Sequence, residues 1–188
     1  MEKKPYDKDF LTRFSALIEK GVRILDIGCC STAQQARFFR DYGFVVTGID
    51  LSKNCIETAK RNFPGIDFLQ MDMLEMDFAD GSFDAICAFY SIIHIPDEKL
   101  NGLFNDFNRI LKMNGKISIT VHAGDFYGYY GENEFPVFFR TYSKRDLIDL
   151  LDKHGFKLIE MEQRQPIYDF EFQSERIYPI AEKLSNAH

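Results

Sequence analysis

Strand and helix patterns alternate five times along this 188-residue chain, and two further strands then arrive with no helix between them. Alternation of this kind forces parallel pairing, because each helix carries the chain back across a sheet face before the next strand begins. Two strands joined without a helix pair as a hairpin, so one edge of the sheet turns antiparallel. The expected architecture is α/β: a doubly wound sheet of seven strands, mostly parallel, with an antiparallel hairpin at its C-terminal edge. No repeat, low-complexity tract or linker interrupts the pattern, and 45% hydrophobic content supplies one core, so residues 1–188 are expected to form a single domain.

The elements can be placed individually. Phe10, Leu11, Phe14, Leu17 and Ile18 recur at spacings of three and four, predicting a helix over 7–20 that Gly21 ends. Residues 23–27 read as a short buried strand, 33–42 as a helix with Ala36, Phe39 and Tyr42 inward, and 44–50 as a second strand. Ser52 caps a third helix, whose buried side carries Cys55, Ile56, Ala59 and Phe63 until Pro64-Gly65 stops it. A third strand covers 66–70. The fourth, over 83–90, is nearly all apolar, as suits a strand covered on both faces. Leu100, Leu103, Phe104, Phe107, Ile110 and Leu111 make one face of a helix over 97–112, and Met113-Asn114-Gly115 turns it into a strand over 116–122. Ser143 caps another helix, with Leu147, Leu150 and Leu151 inward; strands over 157–163 and 175–181 complete the sheet.

One junction carries chemistry. The first strand ends Asp26-Ile27-Gly28-Cys29-Cys30-Ser31-Thr32, and Gly28 stands where the chain must break sharply. Ser31 and Thr32 each precede a glutamine by three residues, the spacing of a capping box at a helix start. A strand delivered onto a helix N-terminus leaves backbone N–H groups beside a cavity. About twenty residues later a second strand ends in Asp50, a carboxylate suited to ribose hydroxyls.

Composition narrows the partners. The net charge is −6, and no Lys/Arg cluster appears, which disfavours tracking along a nucleic-acid backbone. The acidic balance more easily accommodates a small or cationic ligand, and since no apolar run reaches membrane length and no signal peptide is read, the expectation is a cytoplasmic protein. Cys29, Cys30, Cys55 and Cys87 lack disulfide-scaffold or zinc spacing and read as reduced, mostly buried thiols; no metal site is expected.

With these residues in view, the chain resembles the class I S-adenosylmethionine-dependent methyltransferases from Val22 to Lys183. The landmarks come in family order: Ile24-Leu25-Asp26-Ile27-Gly28-Cys29, Val46-Thr47-Gly48-Ile49-Asp50-Leu51-Ser52, Gln70-Met71-Asp72-Met73, Ser82-Phe83-Asp84-Ala85-Ile86-Cys87, Ser91-Ile92-Ile93-His94-Ile95-Pro96 and Arg109 to Lys116. A nicotinamide-binding domain would show G-x-G-x-x-G at the first turn, and this chain does not. The resemblance implies a Rossmann-like fold and S-adenosylmethionine as cofactor. By it, Asp26 and Gly28 line the cofactor's amino-acid end, Asp50 and Leu51 its ribose side, and Asp72 and Met73 its adenine. The Phe89 carbonyl faces the methionine ammonium. Cys30 and Thr32 stand where the family has its second and third glycines. That degenerate motif leaves two readings: a remodelled loop that still binds cofactor, or a weakened site in a non-catalytic relative that serves as an interaction module.

His94 occupies a position that faces substrate in small-molecule members, and is the leading candidate for a base; a histidine simply hydrogen-bonded at a helix entrance is the alternative. Phe126, Tyr127, Tyr129, Tyr130, Phe135, Phe138, Phe139 and Tyr142 crowd the connection over 123–142. This segment reads either as a substrate lid, with Tyr127 and Tyr130 as secondary catalytic candidates and Glu132 and Arg140 selecting substrate, or as an edge cover or homodimer contact. His122 reads as packing, and His154 and His188 as a helix end and a tail.

Overall fold

Alternate residues of each central strand go to opposite faces, and that alternation divides the core in two. In the computed structural model, which describes residues 5–131, 136–167 and 172–184, the chain runs α1 (Pro5–Ala16), β1 (Arg23–Ile27), α2 (Gln34–Asp41), β2 (Val45–Asp50), α3 (Lys53–Asn62), β3 (Asp67–Gln70) and β4 (Phe83–Phe89). A 3-10 turn (Ile92–His94) leads into α4 (Asp97–Ile110), then β5 (Leu111–His122), β6 (Tyr127–Tyr130), β7 (Val137–Arg140), α5 (Lys144–Lys153), β8 (Phe156–Arg164) and β9 (Arg176–Lys183). The main sheet has seven strands in the order β3-β2-β1-β4-β5-β9-β8, and β6 and β7 pair separately. The first five are parallel; β9 is antiparallel to both β5 and β8.

On β4, Phe83, Ile86 and Ala88 join the larger core with α4 and α5, while Ala85, Cys87 and Phe89 join the second core with α1, α2 and α3. A strand buried on both faces has no polar side to alternate with, which is why 83–89 is apolar apart from Asp84. The α4 stripe of Leu100, Leu103, Phe104, Phe107 and Ile110 is buried as its spacing requires.

Several boundaries differ from the sequence reading for local reasons. Helix α1 stops at Ala16, because Leu17 and Ile18 turn back with N–H bonds to Phe14 and Ser15, and Gly21 donates to the Gly43 carbonyl. Leu17, expected inward, is 43% exposed. The turn at Met113-Asn114-Gly115 is an irregularity inside β5, where the register against β4 jumps and Asn114 takes φ 62°. The connection over 123–142 contains the β6–β7 hairpin, which the sequence does not announce. Its Tyr-Gly-Tyr-Tyr and Val-Phe-Phe-Arg runs lack apolar/polar alternation because both faces carry rings. No described helix is long and apolar enough to cross a membrane.

Candidate functional site

Strands β2 and β3 lie to one side of β1 and all the others lie to its far side from β4 onward, so the strand order reverses at β1 and β4. Open α/β sheets form a crevice at the carboxyl ends of their strands at such a point. Gly28 leaves β1 there at φ 73°, and a Cβ on it would fall 2.7 Å from Cβ of Ser91, just past β4. Glycine alone lets the two strand ends approach this closely. The N–H groups of Gly28 and Cys29 donate to the Ile49 carbonyl at 2.9 and 3.0 Å, tying the turn to β2.

Cys30 follows at φ 56°, a left-handed conformation costly for a residue with a side chain. Its N–H donates to Asp50 Oδ2 at 3.0 Å, while Ser52 N–H donates to Asp50 Oδ1 at 2.8 Å. Asp50 is thereby oriented at the end of β2, and each of its oxygens keeps a second lone pair for a hydroxyl donor. The side chains of Cys30 and Thr32 are exposed at the rim, so Cys30 does not follow the expectation of a buried thiol; Cys29 and Cys87 do.

The capping box expected from Ser31 and Thr32 does not form. Ala33 takes the N-cap position at φ 41° with no side-chain cap, because the left-handed bends at Cys30 and Ala33 delay the helix. Asp26, only 1% exposed, supplies the acceptor instead: its Oδ2 takes the Ala36 N–H at 3.0 Å. Asp26 thus pins the turn. Burial pushes its carboxyl up to about 7; the Ala36 N–H opposes the rise and the charge of Asp50 adds to it.

The remaining expected cofactor residues line the same rim. Leu51 is 68% exposed beside Asp50, and its carbonyl accepts from Gln70 Nε2 at 3.3 Å. Asp72 is half-buried, with Oδ1 accepting the Leu74 N–H at 2.9 Å, and Met73 packs against the larger core. Phe89 is buried at the end of β4. Ser91, next to Gly28, has a buried Oγ with no hydrogen-bond partner among the described residues. A buried hydroxyl left in that state costs free energy that a ligand's polar group would recover.

Beyond Ser91 the rim becomes aromatic. Tyr90, at φ 52°, donates its N–H to the Thr120 carbonyl at 2.8 Å. Its hydroxyl lies 3.1 Å from that of Tyr178, which donates to Asp7 Oδ1 at 3.0 Å and accepts from Arg164 Nε at 3.1 Å. Because the Tyr178 proton is committed to Asp7, the Tyr90 hydroxyl is the donor between them. This group of α1, β8 and β9 residues was not found from the sequence. The signal for it was present: Asp7 stands on the apolar stripe of α1, three and four residues before Phe10 and Leu11.

His94 is exposed, and its Nδ1 lies 2.9 Å from the Phe138 carbonyl. A carbonyl can only accept, so Nδ1 carries the proton and the neutral ring keeps its lone pair on Nε2. His122 is 8% exposed, with Nδ1 2.8 Å from Ser174 Oγ. The hairpin separates the two tyrosine candidates. Tyr127 packs on Phe138, whereas Tyr130 packs on Phe139 and Phe172 on the side of His122. Arg140 pairs with Asp97 and stacks on Tyr142, and is not turned to the rim. Glu132, Phe135 and His188 lie outside the described residues. Among the described residues no group of three His, Cys, Asp or Glu side chains could hold a metal.

Comparison with known proteins bears on the same fold. The methyltransferase domain family matches residues 24–115, from β1 into β5. A putative methyltransferase of Bacillus subtilis, YqeM, is 34% identical over 129 residues, 65% of this chain and 51% of that relative, so the match spans about half of its length. The crystal structure of a SAM-dependent methyltransferase from Methanosarcina mazei has the same fold, with a TM-score of 0.80 at 19% identity over 91% of this chain and 96% of that one. A second, the 1,6-didemethyltoxoflavin-N1-methyltransferase of Burkholderia thailandensis with bound 1,6-didemethyltoxoflavin and S-adenosylhomocysteine, gives a TM-score of 0.76 at 17% identity over 94% and 79%. With its landmarks in family order, its reversed strand order and the β9–β8 hairpin at the sheet edge, the chain is similar to the methyltransferase domain family over residues 24–115 and shares the fold of the solved SAM-dependent methyltransferases.

Proposed function

We propose that the protein transfers the methyl group of S-adenosylmethionine to a small-molecule acceptor. The observation that carries this reading is the Gly28–Ser91 approach: a crevice at the strand-order reversal, beside a buried serine hydroxyl that lacks a partner among the described residues. Bound there, S-adenosylmethionine supplies a methyl group already activated by a sulfonium. Asp50 is oriented by two backbone donors to accept ribose hydroxyls, and the exposed Leu51 offers apolar surface beside it. Asp72 and Met73 stand at the adenine end, and Gly28 and the Phe89 carbonyl at the amino-acid end, while the buried Asp26 holds the loop through the Ala36 N–H. The relative from Burkholderia thailandensis, which holds S-adenosylhomocysteine, supports the same assignment.

The exposure of Cys30 and Thr32 favours the remodelled loop over the weakened site. Cys30 keeps the left-handed backbone that a glycine would take and gives its N–H to Asp50, so the loop is held rather than blocked. Methyl transfer is an in-line displacement, and the protein's contribution is alignment and exclusion of water. Where the acceptor must lose a proton, His94 Nε2 is the base that the local hydrogen bonding leaves available, and Tyr130 lies on the substrate side of the hairpin.

Isothermal titration calorimetry with S-adenosylhomocysteine tests the reading on the full chain. Binding with a Kd in the micromolar range is expected, and absence of heat at roughly 1 mM ligand overturns it.

A further inference from the structure

An edge strand offers a row of unpaired backbone groups to any other chain, and proteins guard such edges with charges, prolines, irregularities or cover. Most edges of this fold are guarded. Strand β8, at one end of the main sheet, carries Lys157, Glu160 and Glu162 and breaks register between Leu158 and Glu160. Strand β3, at the other end, carries Asp67. In the separate hairpin β7 is covered, with the Phe138 carbonyl 2.9 Å from His94 Nδ1 and Arg140 paired to Asp97. Strand β6 is the exception. Its Tyr-Gly-Tyr-Tyr run has no charge and no proline, and among the described residues no strand but β7 pairs with it.

Register fixes which backbone groups of β6 are free. Opposed residues of an antiparallel pair alternate: one pair exchanges two hydrogen bonds, and the next turns its backbone groups outward. Tyr129 opposes Phe138, whose carbonyl is turned outward to His94, so Tyr129 turns its own N–H and C=O to the open edge. Tyr127, opposite Arg140 and two residues earlier, does the same. The bond from the Thr141 N–H to the Phe126 carbonyl falls where that alternation requires it. The side chains are open as well, with Tyr127 53%, Tyr129 70% and Tyr130 58% exposed.

We propose that this edge is occupied by β6 of a second copy of the chain, paired antiparallel about a twofold axis at Gly128. Tyr127 of each copy then faces Tyr129 of the other, and the four outward groups of each copy are all hydrogen-bonded. The residue on the axis faces itself in a pair without hydrogen bonds, where Cα atoms come within about 4.5 Å, and glycine places no side chain there. The two Tyr127–Tyr129 pairs are aromatic cross-strand pairs of the stabilising kind. No like charges are brought together, since Asp125, the nearest described charge before the strand, comes opposite Gly131. The open surface of Phe126, Tyr127, Tyr129, Tyr130 and Val137 amounts to about 500 Å² per copy, from their exposed fractions and ordinary side-chain areas. Covering it on both copies buries about 1,000 Å², the size of a weak, reversible contact. Pairing consumes the free edge, so assembly closes at two. The dimer is independent of the methyltransferase reading.

Sedimentation velocity of the full chain from about 1 to about 200 µM tests the pairing, with a monomer–dimer equilibrium of Kd on the order of 10–100 µM expected. The double variant Tyr127→Lys with Tyr129→Lys sets lysine opposite lysine, and Tyr127→Glu with Tyr129→Glu sets glutamate opposite glutamate; each alone is expected to dimerise at least tenfold more weakly. Mixing the two sets lysine opposite glutamate and is expected to restore a dimer, a recovery that misfolded variants would not give. Met113→Lys, which places a charge at an exposed apolar residue of β5, is expected to dimerise as the wild type does. Hydrogen exchange over residues 127–130 is expected to slow about tenfold at ten times the Kd. A wild type that stays monomeric, assemblies larger than two, variants that dimerise unchanged, a mixture that stays monomeric, or exchange that ignores concentration would each overturn the pairing. None of these outcomes touches S-adenosylhomocysteine binding, on which the methyltransferase reading stands.

Discussion

Asp26 shows how far one residue's role depends on what surrounds it. From the sequence it is an acidic residue in a cofactor loop; in the fold it is a buried cap on a helix that begins eight residues later, with its carboxyl pushed up to about 7 chiefly by burial. A carboxyl whose folded pKa lies above its unfolded value contributes stability fully present below the unfolded pKa. That contribution is lost as pH rises through the folded one. Asp26→Asn keeps an oxygen for the Ala36 N–H but cannot ionise. The stability of the wild type relative to this variant is expected to fall between about pH 4 and pH 7, by an amount on the order of a few kcal/mol, and to level off above. Urea unfolding of both proteins across that range measures it, and a difference that stays flat would show that Asp26 titrates normally. The neighbouring loop explains a misread signal. Ser31 and Thr32 carry the right spacing for a capping box, but spacing presumes ordinary backbone, and Cys30 and Ala33 both adopt positive φ. Ser52 was legible because its capping bond from the Cys55 N–H is local; the partners of Asp26 and Asp7, and the Cys30 N–H that holds Asp50, lie in other elements.

At the level of elements, the alternating helices and strands were readable because each buries a face whose period is printed in the sequence. The β6–β7 hairpin was not, since Tyr127, Tyr129 and Tyr130 give no polar side to alternate with and Gly128 interrupts the run. Its attachment is also unusual. It touches the rest of the molecule through the His94–Phe138 contact, the Thr141 N–H to the Phe126 carbonyl at 2.9 Å, the Arg140–Asp97 pair and the rings around Phe139. Its strands carry exposed side chains on Tyr127, Tyr129, Tyr130 and Val137. A two-stranded unit of this kind is marginal by itself. Amide exchange in residues 127–130 and 137–140 is therefore expected to be about a hundredfold or more faster than in β4 and β5, reporting local rather than global opening. Mass-spectrometric hydrogen exchange measures this, and equal protection would mean that the hairpin is part of the central cooperative unit.

For the molecule as a whole, the longest-range polar contact described in the site links residue 7 to residue 178. Asp7, 3% exposed, accepts from Tyr178 and stands 3.6 Å from Arg164 Nη2, so α1 is held to β8 and β9 as well as packed on the sheet. Asp7→Ala is expected to lower stability by about 2–4 kcal/mol, against less than about 0.5 kcal/mol for Asp9→Ala at an exposed position on the same helix. Chemical denaturation of the two variants makes the comparison, and equal effects would remove the network from any role in holding the fold. The sheet order has a consequence for how the chain is made. Strand β9 is synthesised after every other strand described, yet it occupies an interior position, between β5 and β8. While the nascent polypeptide is still tethered to the ribosome, β5 therefore has one bare flank and β8 has no neighbour in the sheet. Closure waits for the segment from Arg176 to Lys183 to clear the exit tunnel, and the partner that Asp7 needs is delivered in that same final step.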